Sequence, residues 1–296
     1  MKQRTVNQYL KDKYGQKIYK IAIDGGFTCP NRDGKLDTRG CIFCSSGGSG
    51  DFAGNKNLSV TEQIEQGKKR VESKMPSERQ GGNNRYIAYF QAFTNTYASA
   101  AHLRSLYMEA VENPHIVSLS IGTRPDCLSD EILNLLEEIN RIKPVWIELG
   151  LQTIHEKTAE YIRRGYPLQV YDESVRELKK RNIDVITHII LGLPGETRAD
   201  MLESVRYVGE SGVQGIKLQL LHVLKGTDLE MDYRNGLFKC MTMEEYIDLI
   251  SDCLDILPDD IIIHRLTGDG PKKILIAPEW SADKKRVLNE LQKKII

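Results

Sequence analysis

The 296-residue sequence has no run of eighteen apolar residues, and its formal net charge is zero because 41 Lys and Arg balance 41 Asp and Glu. The first absence excludes a membrane-spanning helix. The second, together with a hydrophobic fraction of 40%, excludes the composition of disordered chains, which are highly charged and poor in apolar residues. We therefore expect a soluble, folded protein with one large domain or two small ones.

Targeting and linker signals are also missing from the chain. The start, MKQRTVNQYLKDKYG, is not followed by an apolar segment or a small-residue cleavage site, so no secretory signal is expected. No low-complexity linker or internal repeat divides the sequence. We expect a cytoplasmic location, where the six cysteines are metal ligands or buried thiols rather than disulfides.

The zero net charge hides an uneven distribution along the chain. Residues 1–20 hold six bases and one acid, and residues 271–296 hold seven bases and three acids. Residues 244–260 carry seven acids and no base. Each run is typical of a solvated helix face, but the two basic ends leave room for an edge that binds phosphates.

Short apolar and β-branched runs alternate with amphipathic segments. Strands are predicted at Ile18–Ile23, Tyr86–Phe90, Ile116–Ile121, Val145–Gly150, Asp184–Leu191 and Gly215–Leu220. Helices are predicted near residues 60–74, 98–112, 129–141, 155–181 with a break around Gly165 and Pro167, 197–211 and 242–256. Strands that alternate with helices in this way pair in parallel.

The fold class favoured by this alternation is α/β, a partial (β/α)6 barrel of the TIM type with short N- and C-terminal extensions. The strands are nearly continuously apolar, which indicates that both of their faces are covered. A closed eight-stranded barrel usually needs about 250 residues, so six clear βα units suit an incomplete barrel better. A doubly wound open sheet is the alternative, because periodicity does not distinguish the two.

Two helix starts carry capping signals. The segment SVTE at 59–62 fits a capping box, in which serine and glutamate side chains accept hydrogen bonds from backbone N–H groups. Ser129, which precedes Asp130 and Glu131, fits an N-cap with acids at the positive end of the helix dipole.

Three of the six cysteines follow the first predicted strand, in a loop rich in Gly, Asn, Asp and Ser. Eleven residues separate Cys29 from Cys41, and two separate Cys41 from Cys44. A zinc ion would need a fourth ligand, from Cys127, Cys240, Cys253 or a histidine. Three thiolates on a 4Fe–4S cluster would leave one iron open for substrate. Spacing alone leaves an iron–sulfur cluster, structural zinc and buried thiols as alternatives.

The motifs around and after these cysteines resemble the radical S-adenosylmethionine (SAM) superfamily. The usual family spacing is C-x3-C-x2-C, and this sequence departs from it by the insertion PNRDGKLDTRG. The longer interval resembles the branch related to the catalytic subunit of Elongator, and within it the YhcC/YtqA group, whose tRNA-modifying members are called MnmL. The likeness runs from about residue 7 to 270 and is carried, in order, by GFTCPNRDG, GCIFCSSGGSGDFAG, YFQAFTNTYA, SIGTRPDCL, ELGLQT and LGLPGET.

The resemblance implies two cofactors. Cys29, Cys41 and Cys44 would hold three irons of a 4Fe–4S cluster, and the fourth iron would bind the amino and carboxylate groups of SAM. Phe43 would stack near the adenine or shield the cluster, unless it only packs the loop. The reduced cluster would cleave SAM to a 5′-deoxyadenosyl radical, with flavodoxin or ferredoxin as electron donor.

Further SAM contacts are implied at the C-terminal ends of strands. Gln152 in ELGLQT and Arg164 in YIRRG have the separation with which related enzymes touch the ribose and carboxylate of SAM, although Arg164 also fits a surface helix cation. Gly192 in LGLPGE resembles the motif that backs the adenine. His188 could contact SAM or substrate, or be a core histidine.

Two threonines follow the second and third strands. Thr94 in QAFTNT and Thr123 in SIGTRPD could contact SAM or form turns at the strand ends. Relatives often carry an acid on the third strand, where this chain has Gly122, so that contact is in doubt.

The resemblance also implies a substrate and a domain division. The substrate would be the wobble uridine of tRNA, whose 5-carboxymethylaminomethyl group, with or without 2-thiolation, would become 5-aminomethyl. Residues 1–17 would form a basic extension, 18–270 the radical SAM core with a late helical segment, and 271–296 a basic helix. The alternatives are a radical SAM enzyme acting on a small molecule or protein, and a zinc-binding nucleic-acid module without activity.

Lysines and tyrosines alternate near the N-terminus, at Tyr9, Lys11, Lys13, Tyr14, Lys17, Tyr19 and Lys20. Such interleaving could bind RNA phosphates while the rings stack on bases. The alternative is that the tyrosines pack the N-terminal segment onto the barrel.

Overall fold

The computed structural model describes residues 2–48, 50–51, 53–75, 82–268 and 270–295. Ser49 and Phe52 of the cysteine-loop motif lie outside these residues. The strands are β1 (Tyr19–Ile23), β2 (Tyr86–Phe90), β3 (Ile116–Thr123), β4 (Val145–Gln152), β5 (Asp184–Leu191), β6 (Gly215–Leu220), β7 (Val223–Leu224), β8 (Ile262–Arg265) and β9 (Leu275–Ala277). The helices are α1 (Val6–Tyr14), α2 (Val60–Glu72), α3 (Ala100–Glu112), α4 (Asp130–Ile142), α5 (Glu156–Tyr161), α6 (Leu168–Lys180), α7 (Arg198–Glu210), α8 (Asp228–Arg234), α9 (Met243–Ile256) and α10 (Lys284–Ile295).

Seven strands form one parallel sheet in the order β1-β2-β3-β4-β5-β6-β8. Every neighbouring pair is parallel, and chain order equals spatial order, so no strand returns to the other side of β1 as a doubly wound sheet requires. The α/β partial barrel is therefore confirmed and the doubly wound alternative is wrong.

The six predicted strands are all present, and β8 is an addition to them. β8 has four residues, two of which are His264 and Arg265, so it lacks the long apolar run that predicts a strand. The outer edge of β8 is partly covered, because the N–H of Ile263 donates to the carbonyl of Arg4 at 2.9 Å and Thr5 forms a parallel bridge with Ile263.

The helix starts follow the sequence signals, with one exception. The N–H of Glu62 donates to the Ser59 hydroxyl at 3.2 Å, and the Glu62 carboxylate accepts from the Ser59 N–H at 2.8 Å, which confirms the capping box. Ser129 precedes α4 in extended conformation, but its side chain makes no capping hydrogen bond. Asp130 and Glu131 in the first turn place negative charge at the helix N-terminus instead.

The break predicted within residues 155–181 separates α5 from α6. Arg163 and Gly165 adopt positive φ angles of 57° and 83° in the connection, and Pro167 is the residue before α6. A proline at this position fixes an extended φ and does not interrupt a helical hydrogen bond. The reversal brings Arg163 and Arg164 back toward the ends of the strands.

Helix α1 covers the N-terminal ends of the strands. Its buried Leu10 packs in one cluster with Ile18, Ile87, Trp146 and Ile186, each of which precedes or lies near the beginning of a strand. The Tyr9 ring lies 6.4 Å from that of Trp146. Leu10, Tyr9 and Tyr14 therefore pack this segment onto the barrel, at the end opposite the C-terminal edge of the sheet. The interleaved Lys11, Lys13 and Lys17 are exposed.

Candidate active site

The three cysteines that follow β1 face a single cavity of about 580 Å³ at the C-terminal ends of the strands. Cys29, Cys41 and Cys44 line it together with residues from β2 to β6 and from β8. All six cysteines are free thiols. The parallel sheet thus brings the predicted ligands to the edge where ligands bind in βα folds.

The insertion between Cys29 and Cys41 shapes the cysteine loop. The buried Asn31 amide donates to the Arg163 carbonyl at 2.6 Å and to the Cys41 Sγ at 3.4 Å. The Arg32 guanidinium donates to the carbonyls of Cys44 at 3.2 Å and Ser45 at 2.6 Å. Two residues of the inserted segment therefore tie the loop to itself and to the connection between α5 and α6.

Cys41 and Cys44 share a side-chain hydrogen bond, and their surroundings favour a thiolate at Cys41. The hydrogen bond with Cys44 lowers the pKa of the Cys41 thiol to about 6, and Arg124, Asn31 and Arg32 act in the same direction against the effect of burial. Thiolates are the protein ligands of iron–sulfur clusters. The same hydrogen bond, together with burial, raises the pKa of the Cys44 thiol well above its usual value. Outside the loop, burial raises the pKa of Cys127 to about 12, of Cys240 to about 11 and of Cys253 to about 12.

The three cysteines form a donor set that fits a 4Fe–4S cluster. Their side chains line one cavity, and three thiolates on such a cluster leave one iron open for substrate. Within the described ranges, one group of three candidate ligand atoms lies within 4.8 Å of one another, that of His155, Asp200 and Glu203. None of these three residues lines the cavity.

Six of the seven predicted SAM contacts line the same cavity, namely Phe43, Thr94, Thr123, Gln152, Arg164 and His188. Thr123 shares a 2.6 Å hydroxyl contact with Thr96. Gln152 has a φ of 66°. In the amide orientation that satisfies its hydrogen bonds, its side-chain nitrogen donates to the carbonyls of Gly150 and Leu151 at 2.9 Å each. Positive φ in a non-glycine residue is strained and concentrates at ligand sites.

Arg164 also lines the cavity, but its donors are already engaged. Its side chain is 2% exposed, and its guanidinium donates to the carbonyls of Leu151, Thr153 and Tyr166 and to the Glu156 carboxylate. Arg164 therefore binds the backbone at the end of β4. Its N–H groups are taken up by these bonds and are not directed at a carboxylate of SAM.

Gly192 is not among the residues that line the cavity. It has a φ of 88°, and a Cβ there would lie 2.9 Å from the Cε of Met241. Its N–H points to the Met201 sulfur at 3.0 Å. The glycine is required by backbone conformation and close packing beside the cavity rather than by direct contact with its interior.

His188 belongs to a polar layer inside the barrel. Its Nε2 lies 2.9 Å from the Glu148 carboxylate, and its Nδ1 lies 3.4 Å from the Gln219 amide nitrogen. Burial lowers the pKa of His188 to about 4, so the imidazole is neutral at pH 7. The Glu148 bond then assigns the ring proton to Nε2.

Glu148 is the centre of that layer, and the sequence reasoning missed it. Its side chain is fully buried and contacts Lys20 at 2.6 Å, Ser120 at 2.7 Å and Lys217. Burial alone would raise its pKa, but Lys20 and Lys217 hold the pKa of Glu148 well below its usual range. The available signal was a charge inside an apolar strand, VWIELG for Glu148 and GIKLQL for Lys217.

Comparisons with known proteins establish the family. The radical SAM superfamily model matches residues 38–208, and the model of the radical SAM C-terminal domain matches residues 213–296. The chain belongs to the radical SAM superfamily. It is therefore an enzyme whose cofactors are SAM and a 4Fe–4S cluster. The match to the radical SAM superfamily model begins at residue 38, after Cys29. The role of Cys29 therefore rests on its position in the loop that lines the cavity.

Relatives of similar length support the assignment. The chain is 44% identical over 291 residues to the uncharacterised protein YtqA of Bacillus subtilis strain 168, which covers 98% of this chain and 88% of YtqA. It is 37% identical over 295 residues to protein YhcC of Escherichia coli strain K12, and the match covers 98% of this chain and 92% of YhcC. A partial match joins it to a longer protein, a tRNA uridine(34) acetyltransferase of Methanocaldococcus jannaschii. The identity is 27% over 163 residues, which cover 54% of this chain and 30% of the acetyltransferase.

Solved structures share the fold. Elp3 of Methanocaldococcus infernus with an N-terminal deletion has a TM-score of 0.64 and 19% identity, covering 80% of this chain and 60% of that one. Methylornithine synthase (PylB) has a TM-score of 0.53 and 14% identity, and the match covers 97% of this chain and 85% of PylB. In the part of the chain that the structure describes, no helix has the length and apolar character needed to cross a bilayer.

We expect Cys29→Ala, Cys41→Ala and Cys44→Ala each to lose most of the bound iron and the visible absorption of the anaerobically reconstituted protein, because each removes one of three thiolate ligands. Cys240→Ala is the matched control, since this thiol lies outside the cavity lining, and it should keep both. Iron analysis and visible spectroscopy make the comparison. Full iron retention in Cys29→Ala, or one zinc per colourless wild-type chain, would contradict the assignment.

Proposed function

We propose that this enzyme modifies the wobble uridine of tRNA and converts 5-carboxymethylaminomethyl(-2-thio)uridine to 5-aminomethyl(-2-thio)uridine. The observation that carries the proposal is the polar layer of Tyr89, Glu148, His188 and Lys217 at the bottom of the cysteine-lined cavity. The interior of an ordinary TIM barrel is filled with branched apolar side chains. A polar floor suits a polar substituent that carries charge. The tRNA uridine(34) acetyltransferase relative supports the substrate class.

In this proposal, different residues of the cavity bind the cluster, SAM and the nucleoside. Cys29, Cys41 and Cys44 hold the cluster, and the cavity-lining Phe43, Thr94, Thr123 and Gln152 contact SAM. Bound together, the cluster and SAM supply one-electron cleavage of SAM and abstraction of a hydrogen atom from the substrate. The protein orients the substrate carbon and excludes water from it. The electron donor is of the flavodoxin or ferredoxin type, and the reaction takes place in the cytoplasm.

The wobble base is accessible to a cavity of this kind. Anticodon bases are single-stranded, and sequence-specific RNA recognition uses unstacked bases of loops. Enzymes that act on a base take it out of the stack and into a pocket. A cavity of about 580 Å³ lies within the range that holds small ligands.

Phosphate contacts are proposed at the C-terminal basic segment. Pro271 lines the cavity, and the exposed Lys272 and Lys273 follow it directly. Helix α1, by contrast, covers the opposite end of the barrel. The Lys13 ammonium there lies over the Tyr9 and Tyr14 rings at 5.6 and 5.7 Å. Lys272 and Lys273 are therefore beside the cavity, whereas the basic N-terminal segment is remote from it.

Replacing Lys272 and Lys273 together by Ala is expected to weaken tRNA binding and to reduce the slope of log affinity against log salt by about 2, because each phosphate contact contributes about 1. The matched control is the double variant Lys11→Ala and Lys13→Ala on α1, which should leave affinity and slope unchanged. Equilibrium binding between low and physiological salt measures both. Weaker tRNA binding in the α1 variant alone would contradict the proposal, because it would show that RNA binds at the opposite end of the barrel.

Deletion of the gene is expected to leave 5-carboxymethylaminomethyl(-2-thio)uridine in tRNA and to remove the 5-aminomethyl product, because the converting enzyme is gone. Nucleoside mass spectrometry of total tRNA measures both. Complementation with wild type should restore the product, and complementation with Cys41→Ala should not. Unchanged nucleosides in the deletion strain would sink the proposal in favour of a small-molecule or protein substrate.

A further inference from the structure

Gln219 is the polar side chain of β6 that lies nearest to the C-terminal edge of the sheet. It lines the cavity and pairs in register with Ile190 of β5, which lines the cavity as well. Side chains two residues apart on a strand share a face, so Gln219 follows Lys217 on the same face, about 7 Å closer to the strand end. The amide therefore lies between the polar layer and the end of β6.

The carboxylate at the centre of the polar layer is fully satisfied by the protein. The Oε1 of Glu148 accepts from the Lys20 ammonium at 2.6 Å and from the Ser120 hydroxyl at 2.7 Å. Its Oε2 accepts from the Lys217 ammonium and lies 2.9 Å from the Nε2 of His188. A carboxylate has about four acceptor sites, and these four donors use them. Glu148 therefore orients its neighbours rather than binding a ligand itself.

The tautomer of His188 follows from this contact. The ionised Glu148 only accepts hydrogen bonds, so the Nε2 of the neutral imidazole carries the proton and the Nδ1 has a lone pair. The amide nitrogen of Gln219 lies 3.4 Å from that Nδ1, so the amide donates and the ring accepts. The opposite amide orientation would place the carbonyl oxygen against the lone pair. One orientation of the Gln219 amide is therefore favoured.

The oriented amide offers a donor and an acceptor in a fixed order. In the part of the chain that the structure describes, the Gln219 side chain makes one hydrogen bond, to His188. A second N–H and the carbonyl oxygen remain for a ligand in the cavity. Uracil carries the matching edge, with the O4 acceptor beside the N3–H donor, and O4 lies next to the C5 position that bears the substituent. Cytosine carries the reverse order, with the N4 donor beside the N3 acceptor.

We propose that Gln219, oriented by His188 and Glu148, binds the O4 and N3–H of the wobble uracil and so selects uridine over cytidine. The inference rests on the proposed function, whose substrate is a wobble uridine, and adds the residue that recognises the base. Glutamine amides bind bases through two hydrogen bonds in this way, and bases taken out of the stack are recognised at their Watson–Crick edges. Ile190 on the neighbouring strand provides an apolar wall beside the amide.

The adenine of SAM also has a donor beside an acceptor, so the position of the amide decides between the two bases. The residues that contact SAM in the proposed function lie in the cysteine loop and at or after the ends of β2, β3 and β4, namely Phe43, Thr94, Thr123 and Gln152. Gln219 is on β6, two strands beyond β4 in the sheet. This separation favours the substrate base, and the experiment distinguishes the two.

The test measures binding of two unmodified anticodon stem-loop RNAs that differ only in the wobble base, uridine or cytidine, to the reconstituted full-length enzyme with SAM. Wild type should bind the uridine RNA about 10- to 100-fold more tightly, the range of a base contact with two hydrogen bonds. Gln219→Leu should bind both RNAs with dissociation constants within about twofold of each other, at the level of the wild-type cytidine complex. Its dissociation constant for SAM should stay within about twofold of wild type.

Two further variants control for folding and for orientation. Gln169→Leu removes an exposed amide of α6 and should keep the preference for uridine. His188→Phe keeps a ring of similar shape but removes the Nδ1 acceptor, so that the Gln219 amide can turn and pair with either base. The preference should therefore fall to about twofold although the amide is present. A purely structural change would weaken binding of both RNAs equally and leave their ratio unchanged.

The outcomes separate this inference from the proposed function. Equal binding of the two RNAs by wild type, or an unchanged preference in Gln219→Leu, would show that this amide does not recognise uracil. A 10-fold or greater loss of SAM binding in Gln219→Leu with the preference retained would assign the amide to the adenine of SAM, and the inference would again be wrong. A preference that depends on Gln219, in an enzyme that does not convert a stem-loop RNA carrying 5-carboxymethylaminomethyluridine, would support the inference and overturn the proposed reaction.

Discussion

The parallel direction of seven adjacent strands is the constraint on which the site depends. Parallel pairing in chain order puts every strand's C-terminal end at one edge, so loops from distant parts of the sequence meet there. The cysteine loop after β1, the turn at Gln152 after β4 and the segment around Pro271 share one cavity for this reason. Backbone hydrogen bonds between strands thereby fix the distances between chemical groups that are far apart in sequence.

A second requirement is that the barrel interior tolerate charge. Glu148 is fully buried, and it remains ionised because two ammonium groups, a serine hydroxyl and an imidazole surround it. The aromatic rings of Tyr89 and Trp146 lie against the Lys20 ammonium at 4.7 and 5.4 Å. The result is a polar floor of the cavity that the cysteines also line.

Much of this architecture follows from the sequence because strong local patterns carry it. Six strands and the capping box at Ser59 were predictable from periodicity and spacing, whereas the three cysteines were singled out as cluster ligands only by the resemblance to the radical SAM superfamily. β8 was not, because it is only four residues long. The polar layer of Tyr89, Glu148, His188 and Lys217 depends on register between strands, which no local pattern encodes. Arg164 lies at the predicted place, but only its hydrogen bonds show that its guanidinium serves the backbone.

The most direct test of the central claim compares the amounts of two products formed by one enzyme. The reconstituted protein is supplied with SAM, a reductant and tRNA from cells that lack the gene, and 5′-deoxyadenosine and 5-aminomethyl(-2-thio)uridine are quantified together. We predict that the two increase in parallel, that omission of tRNA suppresses the excess 5′-deoxyadenosine, and that Cys44→Ala forms neither. Formation of 5′-deoxyadenosine with no change in the tRNA nucleosides would contradict the account.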